Sequence, residues 1–227
     1  MTSVSWRVPK TGNRALYWAL YSLAWAAMAA PLAWDLWSGQ GAGDFSREQA
    51  NVDMGRWATR FLIAALAIRP LAQALRMPVL LRYRRMVGLF AFAYTLAHSI
   101  DYLLYAQFWG IPWRIWLRRP YLWVGIAASL LTIPLAATSL DAVRRRLGPA
   151  AWRGLHRSLY AIMVLVVLHA LWEGGAVDYT QSYICAALLF LLLVARLPTG
   201  QALILRLQPP RGGVAAAAKG NTRRLAS

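Results

Sequence analysis

One stretch, residues 155–172, decides the fold, and it reads LHRSLYAIMVLVVLHALW. It contains two of the three histidines in the chain, His156 and His169, one towards each end of an apolar helix. The interior of a lipid bilayer tolerates histidine badly, whereas an imidazole can bind iron. Histidines in such a helix therefore indicate a function.

The composition is typical of a membrane protein. Of the 227 residues, 59% are hydrophobic and 15% are charged, whereas soluble domains carry about 25% charged residues. The formal net charge of +17 does not indicate nucleic-acid binding, because the basic residues fall in short clusters between apolar runs, as the positive-inside rule requires. Cys185 is the only cysteine, which excludes an intramolecular disulfide and a cysteine-based zinc or iron–sulfur site.

The hydropathy pattern predicts an all-α integral membrane protein. We expect a bundle of six transmembrane helices with both termini inside, and a short interfacial helix between helices 3 and 4, at residues 109–120, where Trp and Arg alternate. Arginine clusters after the second and fourth apolar runs mark the inside, and the acidic segment 35–56 marks the outside. The six apolar runs are residues 15–34, 57–75, 86–108, 121–140, 155–172 and 182–197.

Both ends of the chain are predicted to be cytoplasmic. Residues 1–14 form a basic N-terminus, residues 15–197 the six-helix domain, and residues 198–227 a basic tail. A cleaved signal peptide is the alternative for the first run, since the small residues at 29–31 resemble a cleavage point. No glycine-rich phosphate loop follows a strand pattern, so the chain is not expected to oxidise a nicotinamide cofactor by itself. We find no internal repeat beyond the helices themselves.

His98 and His169 are predicted to lie at nearly the same depth. His98 is 13 residues from Arg85, or about 19.5 Å of helix, and His169 is 12 residues from Arg157, or about 18 Å. A bis-imidazole haem needs nitrogens on opposite sides of one iron, so equal depth on separate helices is the main requirement. We predict that both ligate haem iron; structural hydrogen bonding is the alternative. Asp101, one turn beyond His98, could orient an imidazole or simply be solvated.

His156 is predicted to belong to a second level, near the inner face. It lies 13 residues, about 19.5 Å of helix, from His169 and cannot share its iron. The mirrored positions on helix 3 are Arg84 and Arg85, whose guanidinium groups cannot ligate iron. His156 could bind a haem with a weak or exogenous second ligand, or contact a flavin or quinone. Arg84, Arg85 and Arg157 are then available for propionate or phosphate; an ordinary surface histidine is the alternative.

Four segments resemble a known family. They read RRMVGL at 84–89, YTLAH at 94–98, WRGLHRSLY at 152–160 and LHALW at 168–172. They are similar to the MsrQ (YedZ) family, the haem-binding membrane subunits of bacterial periplasmic methionine-sulfoxide reductase systems, within the ferric-reductase-like transmembrane superfamily. The resemblance covers residues 10–205, and the three histidines of the family match His98, His156 and His169.

The resemblance implies six helices in the bacterial inner membrane, one or two haems b, and FMN as a further cofactor. It also implies that electrons pass outward to a periplasmic molybdopterin-containing methionine-sulfoxide reductase subunit. The chain lacks the fourth histidine and the fused flavin domain of eukaryotic ferric reductases and NADPH oxidases, so a separate donor is required, a cytoplasmic flavin reductase or quinol. The chain is then an electron-transfer subunit rather than the subunit that acts on methionine sulfoxide.

Two other functions are compatible with the residues alone. One is a quinone-linked cytochrome b subunit of another dehydrogenase. The other is a non-redox transporter or structural membrane protein in which the histidines serve proton movement or packing. No nucleophile–base pair and no metal-hydrolase spacing occurs in the sequence, so a hydrolytic activity of the chain itself is not expected.

Overall fold

The computed structural model describes residues 14–41, 44–108, 112–173, 179–195 and 197, and this part of the chain contains helices and turns but no strand. The all-α prediction is confirmed over these residues. The predicted N-terminus, apart from Arg14, and the predicted basic tail lie outside them. The helices are α1 (Arg14–Gly41), α2 (Asp44–Ala74), a 3-10 helix (Pro78–Arg82), α3 (Arg84–Phe108), α4 (Trp113–Leu117), α5 (Pro120–Ala137), α6 (Asp141–Leu147), α7 (Pro149–His156), α8 (Ser158–Glu173) and α9 (Tyr179–Val194).

The helices have the lengths and surfaces of a membrane protein. Ser182–Val194 in α9 is apolar but short, and large apolar side chains such as Leu104, Leu130 and Phe190 are exposed, as expected where lipid replaces water. The number of crossings, the orientation and the interfacial position of α4 stay predictions. Within the described residues, three segments are long and apolar enough to cross a membrane: Arg84–Leu104, Pro120–Ala137 and Pro149–Glu173.

Helical structure extends beyond the apolar runs. The sequence predicts a connecting segment at 35–56, but α1 continues to Gly41 and α2 begins at Asp44. Hydropathy marks where lipid ends, whereas a helix satisfies its own backbone hydrogen bonds and can continue into water. Pro70 and Pro134 lie inside α2 and α5 without ending either helix.

The stretch 155–172 is not one continuous helix, which corrects the prediction. α7 ends at His156 and α8 begins at Ser158. At the break the Arg157 N–H donates to the carbonyl of Gly154 at 3.1 Å, a tighter turn than the α-helical bond to the fourth residue back. The distance between the two histidines of this stretch therefore cannot be calculated along one straight helix.

Two helix pairs form the frame of the described structure. α2 packs most extensively on α3, and α5 packs most extensively on α8. The two pairs meet through α3 and α5, while α9 contacts both α2 and α8. The apolar core where the pairs meet consists of Leu62, Leu66, Ala91, Leu159, Ile162, Met163 and Leu189.

Tyr94 ties α1 to α3. Its side chain is fully buried, and its hydroxyl donates to the Met28 carbonyl at 2.9 Å and accepts from the Leu32 N–H at 2.8 Å. These two backbone groups would bond each other in a regular helix, but Pro31 lies between them and disturbs the helix. The hydroxyl therefore fills an opening in α1 and fixes that helix against the one that carries His98.

Candidate functional site

A cavity of about 320 Å³ lies between the two helix pairs. Helices α2, α3, α4, α5, α8 and α9 contribute to its wall, and most of the lining side chains are apolar. His98 on α3 and His169 on α8 both line it, whereas His156 does not. The structure thus brings two of the three predicted histidines into one cavity.

The two rings are spaced as a shared iron requires. The ring centres of His98 and His169 are 6.3 Å apart, and the ring planes make an angle of 78°. An iron between two imidazoles lies roughly 2 Å from each nitrogen, and each nitrogen lies roughly 1 Å from its ring centre, which places the ring centres roughly 6 Å apart. The described residues contain no group of three or more His, Cys, Asp or Glu side chains that could hold a metal. A haem does not require one, because the porphyrin supplies the other four ligands.

Each imidazole is held through Nδ1 by a backbone carbonyl. His98 Nδ1 lies 2.9 Å from the carbonyl oxygen of Asn51 on α2, and His169 Nδ1 lies 2.8 Å from that of Tyr121 on α5. A carbonyl oxygen only accepts hydrogen bonds, so Nδ1 carries the proton and donates it. In the neutral imidazole, Nε2 then carries no proton and is available as a metal ligand.

Two glycines make room for the rings. Gly55 on α2 and Gly125 on α5 each lie one helical turn after the residue whose carbonyl accepts the hydrogen bond. A Cβ atom at Gly55 would lie 3.2 Å from Cε1 and Nδ1 of His98, and one at Gly125 would lie 2.8 Å from the same atoms of His169. Each ring therefore rests where the neighbouring helix lacks a side chain.

The same arrangement occurs twice. The accepting residue precedes its histidine by 47 residues in one pair and by 48 in the other, and the glycine follows that residue by four in both. The α2–α3 and α5–α8 pairs are thus equivalent units, which the sequence does not reveal because only a few positions repeat. We name them the His98 seat (His98, Asn51, Gly55) and the His169 seat (His169, Tyr121, Gly125).

Acidic side chains distinguish the two seats. The Asn51 side-chain amide donates to Asp101 Oδ2 at 2.9 Å and to the His98 carbonyl at 2.9 Å. Asp101 therefore helps to position the His98 seat through its hydrogen bond with Asn51. Beside the other seat, Glu173 Oε2 lies 3.9 Å from His169 Nε2, which is beyond hydrogen-bond distance.

Two buried N–H groups of lining residues have no hydrogen-bond partner within the described part of the chain. They are Arg56 Nε on α2 and Trp116 Nε1 on α4. Leaving a buried donor unsatisfied costs about 1–3 kcal/mol, so a bound molecule with acceptor groups fits here. Apolar walls, two imidazoles against glycines and two spare donors together fit haem, an apolar macrocycle that carries iron and two carboxylates.

His156 lies apart from the cavity, against Trp152 on the same helix. Their ring centres are 4.0 Å apart. The Trp152 indole donates to the Thr138 carbonyl at 3.2 Å, and the Arg144 guanidinium lies 4.9 Å from the Trp152 ring centre. His156 Nε2 is buried and has no hydrogen-bond partner among the residues that the structure describes. The imidazole is thus packed in place with one nitrogen available for a ligand.

The predicted basic partners of His156 are placed differently from one another. Arg84 is close enough to act on His156 electrostatically. Arg85 instead forms an ion pair with Asp141, at 3.2 Å from both carboxylate oxygens. Arg157 is exposed at the turn between α7 and α8. The three arginines therefore differ in their contacts: one acts on the imidazole, one is paired with a carboxylate and one is exposed.

Four positions of the two seats are not predicted from the sequence. The carbonyls of Asn51 and Tyr121 leave no signal, because every residue has a carbonyl group. Gly55 and Gly125 do leave a signal in the sequence, because glycine inside a helix costs about 1 kcal/mol relative to alanine. These two glycines precede the site histidines by 43 and 44 residues.

Comparison with known proteins places this site in context. The family described as ferric reductase like transmembrane component matches residues 54–167. That range includes Gly55, His98, Gly125 and His156 but ends just before His169.

Several curated relatives carry the name protein-methionine-sulfoxide reductase heme-binding subunit MsrQ. The protein of Caulobacter vibrioides is 43% identical over 155 residues, which cover 66% of this chain and 73% of the relative. The protein of Rhodospirillum rubrum is 44% identical over 146 residues, covering 63% and 70%. The protein of Xanthomonas euvesicatoria is 38% identical over 185 residues, covering 77% and 84%.

Proposed function

The chain belongs to the ferric-reductase-like transmembrane family, as a relative of its MsrQ proteins, and on this premise we propose that it is a haem b subunit that transfers electrons across a membrane. In this proposal it lies in the bacterial inner membrane as a six-helix bundle with both termini in the cytoplasm. It serves a periplasmic molybdopterin-containing methionine-sulfoxide reductase, which repairs oxidised methionine. The names of its relatives support this assignment.

The observation that carries the proposal is the pair of facing seats. His98 and His169 lie on different helices with ring centres 6.3 Å apart, and each Nδ1 proton is already engaged by a carbonyl. Both Nε2 atoms are then left for one iron, in a cavity whose walls are apolar. His98 and His169 are the residues that would hold the haem.

Bound haem iron supplies one-electron transfer by alternating between its ferric and ferrous states. The protein contributes the two imidazoles, their fixed tautomer and a wall that keeps water away. A hydrogen bond from Nδ1 to a carbonyl increases the basicity of Nε2, which stabilises the ferric state relative to a free imidazole. Each seat therefore helps to set the reduction potential of the site.

We extend the proposal to the inner level, where His156 contacts a second cofactor, either a second haem b or FMN. Its buried Nε2 without a partner in the described residues supports this. Arg84 is close enough to offer a positive charge to a propionate or phosphate. Arg85 and Arg157 are proposed to contribute positive charge at the edge of this second cofactor site. Electrons are proposed to enter at this side from a cytoplasmic flavin reductase or from quinol.

Cofactor analysis of the purified protein tests the proposal. Protein from haem-replete cells should be red, with a Soret band that sharpens and shifts on reduction. His98→Ala and His169→Ala should each remove the bis-histidine spectrum and most of the haem that the cavity holds. His156→Ala is the matched control in the same chain, and it should lower the content of the second cofactor while the bis-histidine signal is retained.

Two outcomes would contradict the proposal. Unchanged haem content in both His98→Ala and His169→Ala would show that iron is not held by the seats. A colourless preparation would favour the transporter interpretation. The identity of the soluble protein that co-purifies separates a methionine-sulfoxide reductase subunit from a quinone-linked dehydrogenase.

A further inference from the structure

We propose that Arg56 and Trp116 bind the two carboxylates of the porphyrin and thereby fix its orientation in the cavity. The inference rests on the proposed function, because it concerns the haem that His98 and His169 are proposed to hold. It assigns a role to α4, the short helix whose position in the sequence suggests only an interfacial segment.

Arg56 is held in place with one donor unused. It follows Gly55 directly on α2, next to the His98 seat. Its Nη1 donates to Asp53 Oδ1 at 2.9 Å, and Asp53 also accepts from the Gln49 amide at 3.2 Å. A guanidinium has five N–H donors, and Nε is buried without a partner in the described residues. The ion pair thus fixes the group while Nε is available to a ligand.

Trp116 offers a second unused donor. The indole N–H can only donate, and it is buried without a partner within the part of the chain that the structure covers. The Trp116 ring lies 6.1 Å from the ring of Tyr102, which is one helical turn beyond His98 on α3. Trp116 also lies five residues before Tyr121, whose carbonyl holds His169.

Both donors are therefore at the same end of the cavity. The Arg56 side chain reaches towards Asp53, one turn nearer the start of α2, and Trp116 lies near Tyr102, beyond His98. A macrocycle between the two imidazoles would turn its carboxylate edge towards α4. In the predicted topology this is the outer end, opposite to the end of α3 at which Arg84 lies.

The chemistry favours a carboxylate ligand over a neutral one. A hydrogen bond between a guanidinium and a carboxylate is charge-assisted and roughly twice as strong as a neutral one. Glu173 lines the same cavity and, as the last residue of α8, lies at this same end, so its negative charge opposes a propionate there. The charge-assisted bond at Arg56 and the Trp116 donor are therefore what select the orientation of the ring.

Reconstitution with two forms of the cofactor tests this. The full-length chain, prepared without haem, is titrated with iron protoporphyrin IX and with its dimethyl ester, which cannot present carboxylates. We expect the original protein to bind the free acid at least about tenfold more tightly than the ester, since one charge-assisted bond contributes about 1.5–3 kcal/mol. In the double variant Arg56→Gln, Trp116→Phe this preference should fall to about twofold or less, with the bis-histidine spectrum unchanged.

Arg60→Gln and Trp123→Phe together form the matched control. Both residues are exposed and neither lines the cavity, so the control variant should keep the full preference for the free acid. Equal affinity of the original protein for acid and ester would overturn the inference, and this comparison needs no variant to fold. A double variant that keeps the preference would overturn it as well. If the original protein binds neither form, the proposed haem function itself fails.

Discussion

The His98 seat on α2 and α3 can be compared directly with the His169 seat on α5 and α8, since each holds its ring by one carbonyl and one glycine. The fit to the glycine differs: a Cβ would come within 3.2 Å of the His98 ring but within 2.8 Å of the His169 ring. The polar support is instead greater at the His98 seat, where the Asn51 side-chain amide bonds the His98 carbonyl and the Asp101 carboxylate. The His98 seat therefore has additional side-chain hydrogen bonds around it, whereas the His169 ring is packed more closely against its glycine.

The two helix pairs also differ in what flanks them. The α2–α3 pair is flanked by α1, which Tyr94 attaches to α3 through two hydrogen bonds. Exposed apolar side chains occur on both pairs, for example Leu104 on α3 and Leu130 on α5. Substitutions at equivalent positions of the two seats should thus have unequal effects.

The largest difference is expected at the glycines. Gly125→Ala should weaken haem binding about tenfold or more, because a contact of 2.8 Å displaces a ring that, in the proposed site, also has to reach the iron. Overpacking of this kind costs about 1–3 kcal/mol. Gly55→Ala should weaken it by about fivefold or less, because a shift of a few tenths of an ångström relieves the contact. Haem titration of each variant measures both.

Gly88→Ala on α3 and Gly154→Ala on α7 are the controls for this pair. A Cβ at either position meets nothing within 4 Å, so haem affinity should not change, and the free energy of unfolding should be unchanged or raised by up to about 1 kcal/mol. If Gly55→Ala lost as much haem as Gly125→Ala, close packing would not be what distinguishes the seats.

A smaller effect is expected from the side chain of Asn51. Asn51→Ala keeps the carbonyl that accepts from His98 but removes the amide that bonds Asp101, so the free energy of unfolding should fall by about 1–3 kcal/mol. Thermal unfolding of the haem-loaded protein in detergent measures this.

Tyr121→Phe is the counterpart in the other seat. It also keeps its carbonyl and loses a hydroxyl that accepts from the exposed Arg119 at 3.0 Å and also interacts with Tyr102. Its effect should be smaller than that of Asn51→Ala, at about 1 kcal/mol or less. Equal losses in Asn51→Ala and Tyr121→Phe would contradict a polar brace specific to the His98 seat.

The sequence predicts which histidines share a site better than it predicts the contacts that hold them. Counting from Arg85 and Arg157, which are expected to mark the membrane surface, selects His98 and His169 as a pair, and the structure places these two rings in one cavity. The carbonyls that orient these rings belong to α2 and α5, and which helices become neighbours is decided by packing over long sequence separations. No local pattern at Asn51 or Tyr121 encodes that choice.

The position of His156 shows where counting residues along a helix fails. The count assumes a straight helix between His156 and His169, but the tight turn at Arg157 divides the stretch into α7 and α8. Mirroring His156 onto α3 points to Arg84 and Arg85 as its basic partners, but Arg85 bonds Asp141. Side-chain pairing between distant segments of this kind has no periodic signature in the sequence.

The smallest predicted effect on the site itself is that of Tyr94→Phe. Loss of the hydroxyl leaves the Met28 carbonyl and the Leu32 N–H without their bridge, which should lower the free energy of unfolding by about 1–3 kcal/mol. The bis-histidine spectrum should be retained, because the ring and the His98 seat stay in place. Tyr183→Phe, on a side chain that is 62% exposed, is the control and should change stability by about 0.5 kcal/mol or less. A change in the haem spectrum of Tyr94→Phe would instead mean that α1 positions the iron ligand through α3, so that the His98 seat depends on three helices and the His169 seat on two.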